Sequence, residues 1–318
     1  MGFAMSTDNG LKSGSNLEKV LEAGHFAFTG ELGPPRGTTV NEVVEKCQHL
    51  KGMVDSVNIT DNQTAVVRMA SWAACLILIK EGLEPNFQMV CRDRNRLAMQ
   101  ADILGAYAHG VRNMLCLTGD HCQFGDHPDA MGVFDIDSMQ LINMVKTMRD
   151  EGKFQAGTAI EDPPRIFIGA AVNPFADPFD WRVHRLAKKI EAGVDFIQTQ
   201  CIYNMDKFRE FIKRANDMGL TEKAYILAGV TPMKNVGMAR YMQKRVPGIE
   251  VPEEWIDRLK GVDKKNVADE GIKMACEQVE EFKEMKGVHG VHMMAIEWEH
   301  KVPEIAELAQ VLPRPVMD

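Results

Sequence analysis

The sequence has 318 residues, of which 45% are hydrophobic and 26% are charged. This composition supports a large folded core and excludes a disordered or fibrous chain. The formal net charge of −8 leaves no broad cationic surface for phosphate backbones, which argues against general nucleic-acid binding. No run approaches the roughly 18 apolar residues of a membrane span, and the start lacks an export signal. We therefore expect a cytoplasmic protein.

The cysteines support the same expectation. They are scattered, odd in number and form no C-x-x-C pair, which suits a reducing compartment better than a disulfide framework. Most of them are expected to fill the core. They are Cys47, Cys75, Cys91, Cys116, Cys122, Cys201 and Cys276.

Short apolar runs alternate along the chain with longer stretches whose apolar residues recur at helical spacing. The runs predict strands at residues 26–31, 54–60, 86–91, 113–117, 165–172, 195–199, 224–230 and 290–295. No Pro/Ser-rich linker divides them, so the pattern predicts one closed (β/α)8 TIM barrel over residues 16–318. Residues 1–15 are predicted to be a flexible leader.

The intervening helices are indicated by apolar stripes at i, i+3, i+4 and i+7 spacing. One stripe runs from Phe208 to Ala215, with Asn204 as its cap and Gly219 as its stop. An extra helix is predicted at residues 253–259, before the last strand. Three further stripes are Leu97, Ala101, Leu104 and Ala108; Leu141, Ile142, Val145 and Met148; and Ile272, Ala275, Val279 and Phe282.

Two carboxylates follow predicted strands at the end where the loops of a barrel form its site. Glu31 lies in a loop fixed by two prolines, and Asp120 follows Gly119, which is expected to leave room for a planar ligand. A carboxylate at such a position is costly to desolvate unless it is paired or used. Each could instead cap a helix or pair with a lysine. Two carboxylates at separate strand ends favour a functional site.

Four segments resemble those of the methylenetetrahydrofolate reductase family, in the same order. They are residues 29–35 (TGELGPP), 117–120 (LTGD), 186–200 (LAKKIEAGVDFIQTQ) and 228–232 (AGVTP). The resemblance spans roughly residues 26–312. It implies a flavin-containing barrel that reduces 5,10-methylenetetrahydrofolate to 5-methyltetrahydrofolate.

The resemblance also implies roles for individual residues. Glu31 matches the general acid that protonates N10 of the folate, so that a 5-iminium cation accepts hydride from flavin N5. Asp120 matches the acid beside the flavin pyrimidine, and Gln200 and Thr231 match substrate-binding positions. The implied flavin-binding residues are Asn58, Gln88, Leu117, Thr118, Gly119, Asp120, Asp137, Arg185, Lys188, Lys189 and Ala192.

Several positions depart from the well-known bacterial pattern. Gln88 replaces a histidine found in many relatives, Val236 replaces an aromatic residue, and residues 289–298 (HGVHMMAIEW) replace a Tyr-Thr-Leu-Asn ending. These departures resemble the reductases of anaerobic acetogens, whose catalytic subunit works with a partner carrying zinc and iron–sulfur clusters. Such a partner is the predicted electron donor, with NAD(P)H as the alternative. The sequence does not determine whether the flavin is FAD or FMN, and it does not determine the oligomeric state.

Three other functions are alternatives to a reductase. A metal-dependent barrel enzyme would use the cluster of Cys116, His121, Cys122, Asp126 and His127, but this spacing fits no standard zinc pattern. We therefore expect no metal site. A pterin-binding methyltransferase barrel would pass a methyl group to cobalamin without redox chemistry. A non-catalytic assembly subunit would have less reason to contain both Glu31 and Asp120.

Overall fold

The structure is a computed structural model of the chain, and it describes residues 10–317. Eight parallel strands pair in chain order, and β8 closes on β1 to form a barrel. This confirms the predicted (β/α)8 class. The strands are β1 (Ala27–Leu32), β2 (Val57–Ile59), β3 (Pro85–Val90), β4 (Asn113–Leu117), β5 (Phe167–Val172), β6 (Phe196–Cys201), β7 (Tyr225–Val230) and β8 (Gly290–Met293).

The helices that follow β1 cover the outer wall of the barrel, and the predicted extra helix is α9, between β7 and β8. Within residues 10–317 they are α1 (Asn16–Glu22), α2 (Val40–Leu50), α3 (Ser71–Lys80), α4 (Arg96–Ala108), α5 (Ser138–Lys146), α6 (Asp180–Ala192), α7 (Met205–Asp217), α8 (Val236–Arg245), α9 (Glu253–Lys260), α10 (Val267–Glu284) and α11 (Val302–Leu308). No helix in this part of the chain is both long and apolar enough to cross a membrane.

The α7 stripe is confirmed in detail. Phe208, Phe211, Ile212 and Ala215 are all buried, and the Asn204 side chain accepts the N–H of Lys207 at the start of the helix. This arrangement satisfies one of the backbone donors that a helix leaves open at its N-terminus. The sequence therefore specifies both the buried face and the start of α7.

The stripe predicted for α4 is wrong. Leu97 is 75% exposed, whereas Met99, Ile103 and Ala106 form the buried face. Helix α4 carries apolar residues on several sides, so two different stripes satisfy the same period. Packing against the barrel decides between them.

Side chains alternate between the barrel interior and the helices. Phe28 on β1 and Ile59 on β2 pack in the large core beneath the helices. The neighbouring Asn58 points inward, because its side chain bonds Gln198 across the barrel on β6. The interior is therefore partly polar, with amides and a histidine in place of the usual branched apolar layers.

Helix α1 closes the amino-terminal end of the barrel. Leu17 and Val20 pack with Phe167 and Phe196 from the first residues of β5 and β6. The Glu84 carboxylate accepts the N–H of Leu17 at 3.0 Å, which satisfies a donor at the start of α1. The open end of the barrel is consequently the carboxyl end of its strands.

The folded part of the chain begins before the predicted boundary at residue 16. Ser13 and Ser15 are buried, and Glu18 accepts the backbone N–H groups of Ser13 and Gly14, both at 2.8 Å. The flexible leader predicted for residues 1–15 therefore does not hold for this part. Residues 1–9 lie outside the described residues.

Candidate active site

A cavity of about 350 Å³ opens at the carboxyl end of the strands. This is the end at which (β/α)8 barrels place their chemistry. Six strands or the residues directly after them supply its walls. The lining residues are Glu31, Gln88, Leu115, Leu117, Ala171, Val172, Asn173, Gln198, Thr199, Gln200, His292 and Met294.

One oxygen of the Glu31 side chain is contacted by residues from two other strands. Gln88 Nε2 donates to Glu31 Oε2 at 3.4 Å, and His292 Nε2 lies 3.5 Å from the same oxygen. The Glu31 side chain is 22% exposed, toward the cavity. Glu31, Gln88 and Gln200, which the sequence singled out separately, thus meet in one cavity.

His292 is a site residue that the sequence analysis did not single out. It is 3% exposed and is the partner of Thr29 in the pairing of β8 with β1. This pairing exists only because the barrel closes. The available signal was a histidine inside an apolar strand, which by itself more often marks the core than a site.

Asn58 does not face open cavity space. Its side chain is fully buried and exchanges two hydrogen bonds with the amide of Gln198, at 2.6 and 3.1 Å. It also accepts a hydrogen bond from Asn86 at 2.8 Å. The amide that was predicted to contact a flavin is therefore engaged with other side chains in the barrel interior.

Asp120 lies after β4 with an exposed side chain and does not line the cavity. Gly119 has φ +90°, and a Cβ at this position would lie 3.0 Å from Cβ of Val90 and 3.2 Å from Cβ of Arg92. The room predicted beside this glycine is thus filled by residues at and after the end of β3. Glycine is required here by both backbone conformation and close packing.

The two predicted substrate-binding residues separate in the structure. Gln200 lines the cavity, and its Oε1 accepts the N–H of Cys201 at 3.0 Å. Thr231 is 1% exposed, outside the cavity lining, with its Oγ1 3.0 Å from the Cys201 sulfur. Burial raises the pKa of the Cys201 thiol to about 11, so this cysteine stays protonated and is a poor nucleophile near pH 7.

Among the other implied flavin-binding residues, Leu117 lines the cavity. Thr118 Oγ1 accepts the N–H of Ser138 at 3.2 Å, and Asp137 caps α5 by accepting the N–H of Gln140 at 2.9 Å. The capping box of Asp137 is the structural role that such a carboxylate often has. Both residues therefore support the start of α5.

The remaining implied residues lie on α6 and do not form one phosphate-binding cluster. Arg185 and Lys188 are exposed, and Ala192 is the last residue of the helix. Lys189 is 7% exposed, and its Nζ donates to the carbonyl of Ala171 at 2.9 Å. The Lys189 ammonium thus bonds to a strand that also lines the cavity.

The burial of Lys189 predicts a pH effect on stability. Burial lowers the pKa of Lys189 to about 8. Between that value and its unfolded value near 10.5, the unfolded state binds more protons, so the free energy of unfolding should rise with pH by up to about 3 kcal/mol. Urea unfolding at pH 7.5, 9 and 10.5 should show this rise in the unmodified chain and its loss in Lys189→Met.

The matched control is Lys188→Met, which removes the neighbouring exposed lysine. It should keep the pH dependence of the unmodified chain. Equal pH dependence in the Lys189→Met variant and the unmodified chain would contradict the burial of the charged ammonium.

The cysteine and histidine cluster after β4 does not assemble as a metal site. Cys116 is fully buried in β4, and burial raises its pKa far above its ordinary value. Asp126 instead contacts Arg36 and His127. Across residues 10–317, no three His, Cys, Asp or Glu side chains are grouped so as to hold a metal ion.

These features define a (β/α)8-barrel protein with a carboxylate and several amides around a cavity at the carboxyl ends of its strands. This is the architecture of barrel enzymes. The model of the methylenetetrahydrofolate reductase family matches residues 16–310. The chain therefore belongs to the methylenetetrahydrofolate reductase family.

The chain is similar to curated relatives at low identity. It is 22% identical to the "Probable methylenetetrahydrofolate reductase (NADPH)" of Caenorhabditis elegans, over 91% of this chain and 43% of the relative. It is 24% identical to the "5,10-methylenetetrahydrofolate reductase" of Pectobacterium carotovorum, over 76% of this chain and 75% of the relative. The chain spans less than half the length of several longer curated relatives.

A solved structure confirms the fold. It is that of an uncharacterized protein from Clostridium thermocellum that binds two copies of 5-methyl-5,6,7,8-tetrahydrofolic acid. The two align with a TM-score of 0.65 over 93% of this chain and 100% of the other, at 12% sequence identity. At this identity the likeness supports the barrel architecture.

Proposed function

We propose that the protein reduces 5,10-methylenetetrahydrofolate to 5-methyltetrahydrofolate with the help of a bound flavin. The observation that carries the proposal is the Glu31 carboxyl, which is exposed to the cavity, accepts a hydrogen bond from Gln88 and lies 3.5 Å from Nε2 of His292. Family membership supplies the reaction class. A methyl-tetrahydrofolate ligand in a protein of the same fold is compatible with the substrate class. We place this reaction in the cytoplasm.

The cavity suits the ring system of a flavin. Leu117, Val172 and Met294 supply apolar walls, while Gln88 and Asn173 supply amide groups at the edges. A flat heterocycle with apolar faces and polar edges is recognised by this combination. When bound, the flavin supplies the hydride. Within residues 10–317, the side chains implied for the phosphate-bearing tail of the flavin do not form one cluster. FAD and FMN therefore fit the proposal equally.

In this proposal Glu31 holds a proton and gives it to N10 of the folate. The N10–C bond of the five-membered ring then breaks, and the resulting 5-iminium cation accepts the hydride at carbon. Gln200, on the cavity wall, binds the polar edge of the pterin. Asp120 and Thr231 take no part in the proposed reaction, because neither residue lines the cavity.

The electron donor is proposed to be a partner subunit that carries zinc and iron–sulfur clusters. The support is that Val236 stands where many relatives have an aromatic residue for stacking, and that residues 289–298 (HGVHMMAIEW) differ from the usual Tyr-Thr-Leu-Asn ending. Anaerobic mixing of the purified, flavin-loaded chain with NADH tests this proposal. Slow flavin reduction is expected, and rapid reduction by NADH alone would overturn the partner requirement.

The proposed reaction is tested by the absorption spectrum of the purified protein, followed by acid release and chromatography of its cofactor. We expect a flavin spectrum, and we expect 5,10-methylenetetrahydrofolate to reoxidise the reduced protein while 5-methyltetrahydrofolate forms. A colourless protein that takes up no flavin and transfers a methyl group to cobalamin would establish a methyltransferase instead. Chromatography of the released cofactor identifies it as FAD or FMN.

A further inference from the structure

A line of buried polar side chains inside the barrel leads from β3 to His292 on β8. Asn86 donates to Asn58 at 2.8 Å, and Asn58 donates to Gln198 at 2.6 Å. Gln198 Nε2 then lies 3.3 Å from Nδ1 of His292. All four side chains are at least nine-tenths buried. Because each amide is bonded to the next, the orientation of one fixes the others.

Which amide donates and which accepts along this line follows from Asn86, its first residue. In the present orientation Asn86 Oδ1 is buried without a hydrogen-bond partner among the described residues. Reversing every amide would instead bury the Asn86 amino group without an acceptor. An orphaned N–H donor is rarer in folded proteins than an under-satisfied carbonyl oxygen. The direction in which Asn86 donates is therefore the favoured one.

This direction places the donor nitrogen of Gln198 beside Nδ1 of His292 and favours one tautomer of the imidazole. The two N–H groups of Gln198 have three acceptors within reach, Asn58 Oδ1 at 3.1 Å, Thr29 Oγ1 at 3.3 Å and His292 Nδ1 at 3.3 Å. An N–H pointing at Nδ1 requires that nitrogen to carry its lone pair, which places the ring proton on Nε2. Thr29 Oγ1 lies 3.0 Å from the same Nδ1 and 3.4 Å from the carbonyl oxygen of Val291, so Nδ1 is the nearer acceptor for its hydroxyl proton. Donation from Thr29 favours the same tautomer. Nε2 is the nitrogen that faces Glu31 Oε2 at 3.5 Å.

We propose that His292 is a positioning residue for Glu31, a role that rests on the proposed function. In this proposal Nε2, which lies 3.5 Å from Glu31 Oε2, closes to hydrogen-bond distance and donates to that oxygen when the substrate binds, beside the Gln88 donor at 3.4 Å. Two donors on one oxygen leave no room for a carboxyl proton there. The proton of Glu31 is therefore kept on Oε1, the oxygen that has no hydrogen bond to any described residue.

The arrangement gives the proton transfer a direction. The Oε1–H bond breaks, a new N–H bond forms on the folate nitrogen, and the electron pair stays on Oε1. The carboxylate that remains is held by the two N–H donors at Oε2. Both contacts are long, and hydrogen bonds of this kind often tighten when the substrate binds.

Two substitutions separate the two nitrogens of the imidazole. In His292→Gln, the amide nitrogen takes the place of Nε2 and can still donate to Glu31. In His292→Asn, the amide oxygen takes the place of Nδ1 and can accept from Gln198, but no group reaches Glu31. Gln198 keeps Asn58 and Thr29 as partners in both variants, so their folding should be similar.

The test measures single-turnover reoxidation of the reduced, flavin-loaded protein by 5,10-methylenetetrahydrofolate at saturating and sub-saturating substrate. We expect His292→Asn to lower the limiting rate about 10- to 100-fold and His292→Gln to stay within about fivefold of the unmodified chain. The substrate concentration at half-maximal rate should change little in either. Equal losses in both variants, or no loss in His292→Asn, would overturn the proposal.

A second measurement does not depend on turnover. Long-range ¹H–¹⁵N correlation spectra of the histidine-labelled protein, with the signal assigned by its loss in His292→Gln, report the tautomer directly. We expect a protonated Nε2 and a bare Nδ1, with the Nε2 signal shifted in Glu31→Gln. A proton on Nδ1 would overturn the positioning role even in an active reductase. The expected tautomer in a protein that does not reduce the folate would support the contact while rejecting the proposed reaction.

Discussion

Replacing Glu31 with Gln is expected to lower the rate of folate reduction by about 10²- to 10⁴-fold, the usual contribution of a general acid. The amide has nearly the shape of the carboxyl and can still accept hydrogen bonds from Gln88 and His292. It has no acidic proton to give to the folate. Single-turnover reoxidation of the reduced, flavin-loaded variant measures the loss, and its absorption spectrum should show that the flavin remains bound.

The matched control is Glu42→Gln, the same chemical change on the exposed outer face of α2. It should leave the rate unchanged. A Glu31→Gln protein that keeps its rate would show that another group supplies the proton. A protein that loses its flavin together with its activity would assign Glu31 a structural role.

Replacing Arg314 with Leu is expected to lower the free energy of unfolding by about 3–5 kcal/mol. The Arg314 guanidinium bonds both oxygens of Asp55, whose side chain is fully buried, and also donates to the carbonyl of Phe26 at 2.9 Å. The substitution leaves the Asp55 charge without its cation in the protein interior, where solvation cannot replace it. Urea unfolding followed by circular dichroism measures the loss.

The control for Arg314 is Lys213→Ala, which removes one member of a surface ion pair. Lys213 Nζ lies 4.0 Å from Asp217, and both side chains are about two-thirds exposed. This change should stay within about 0.5 kcal/mol of the unmodified chain. Similar losses in the two variants would contradict the importance of burial at Asp55.

The family resemblance and the predicted strand ends together identified some of the residues that line the cavity. Glu31, Gln88, Leu117 and Gln200 lie in the cavity as expected from strand ends that converge at one end of a barrel. The residues implied on α6 do not join them. A family motif fixes a residue's place along the chain, but not whether its side chain is used locally, as the cap at Asp137 shows.

The sequence by itself determined the eight alternating units and the start and buried face of α7. These features depend on residues a few positions apart, and their spacing is visible in a single sequence. The tertiary structure decided that His292 meets Glu31, that Asn58 bonds Gln198, and that Asp120 lies outside the cavity. Such contacts join strands distant in the chain, and they depend on barrel closure and on which face of each strand turns inward, neither of which local spacing encodes.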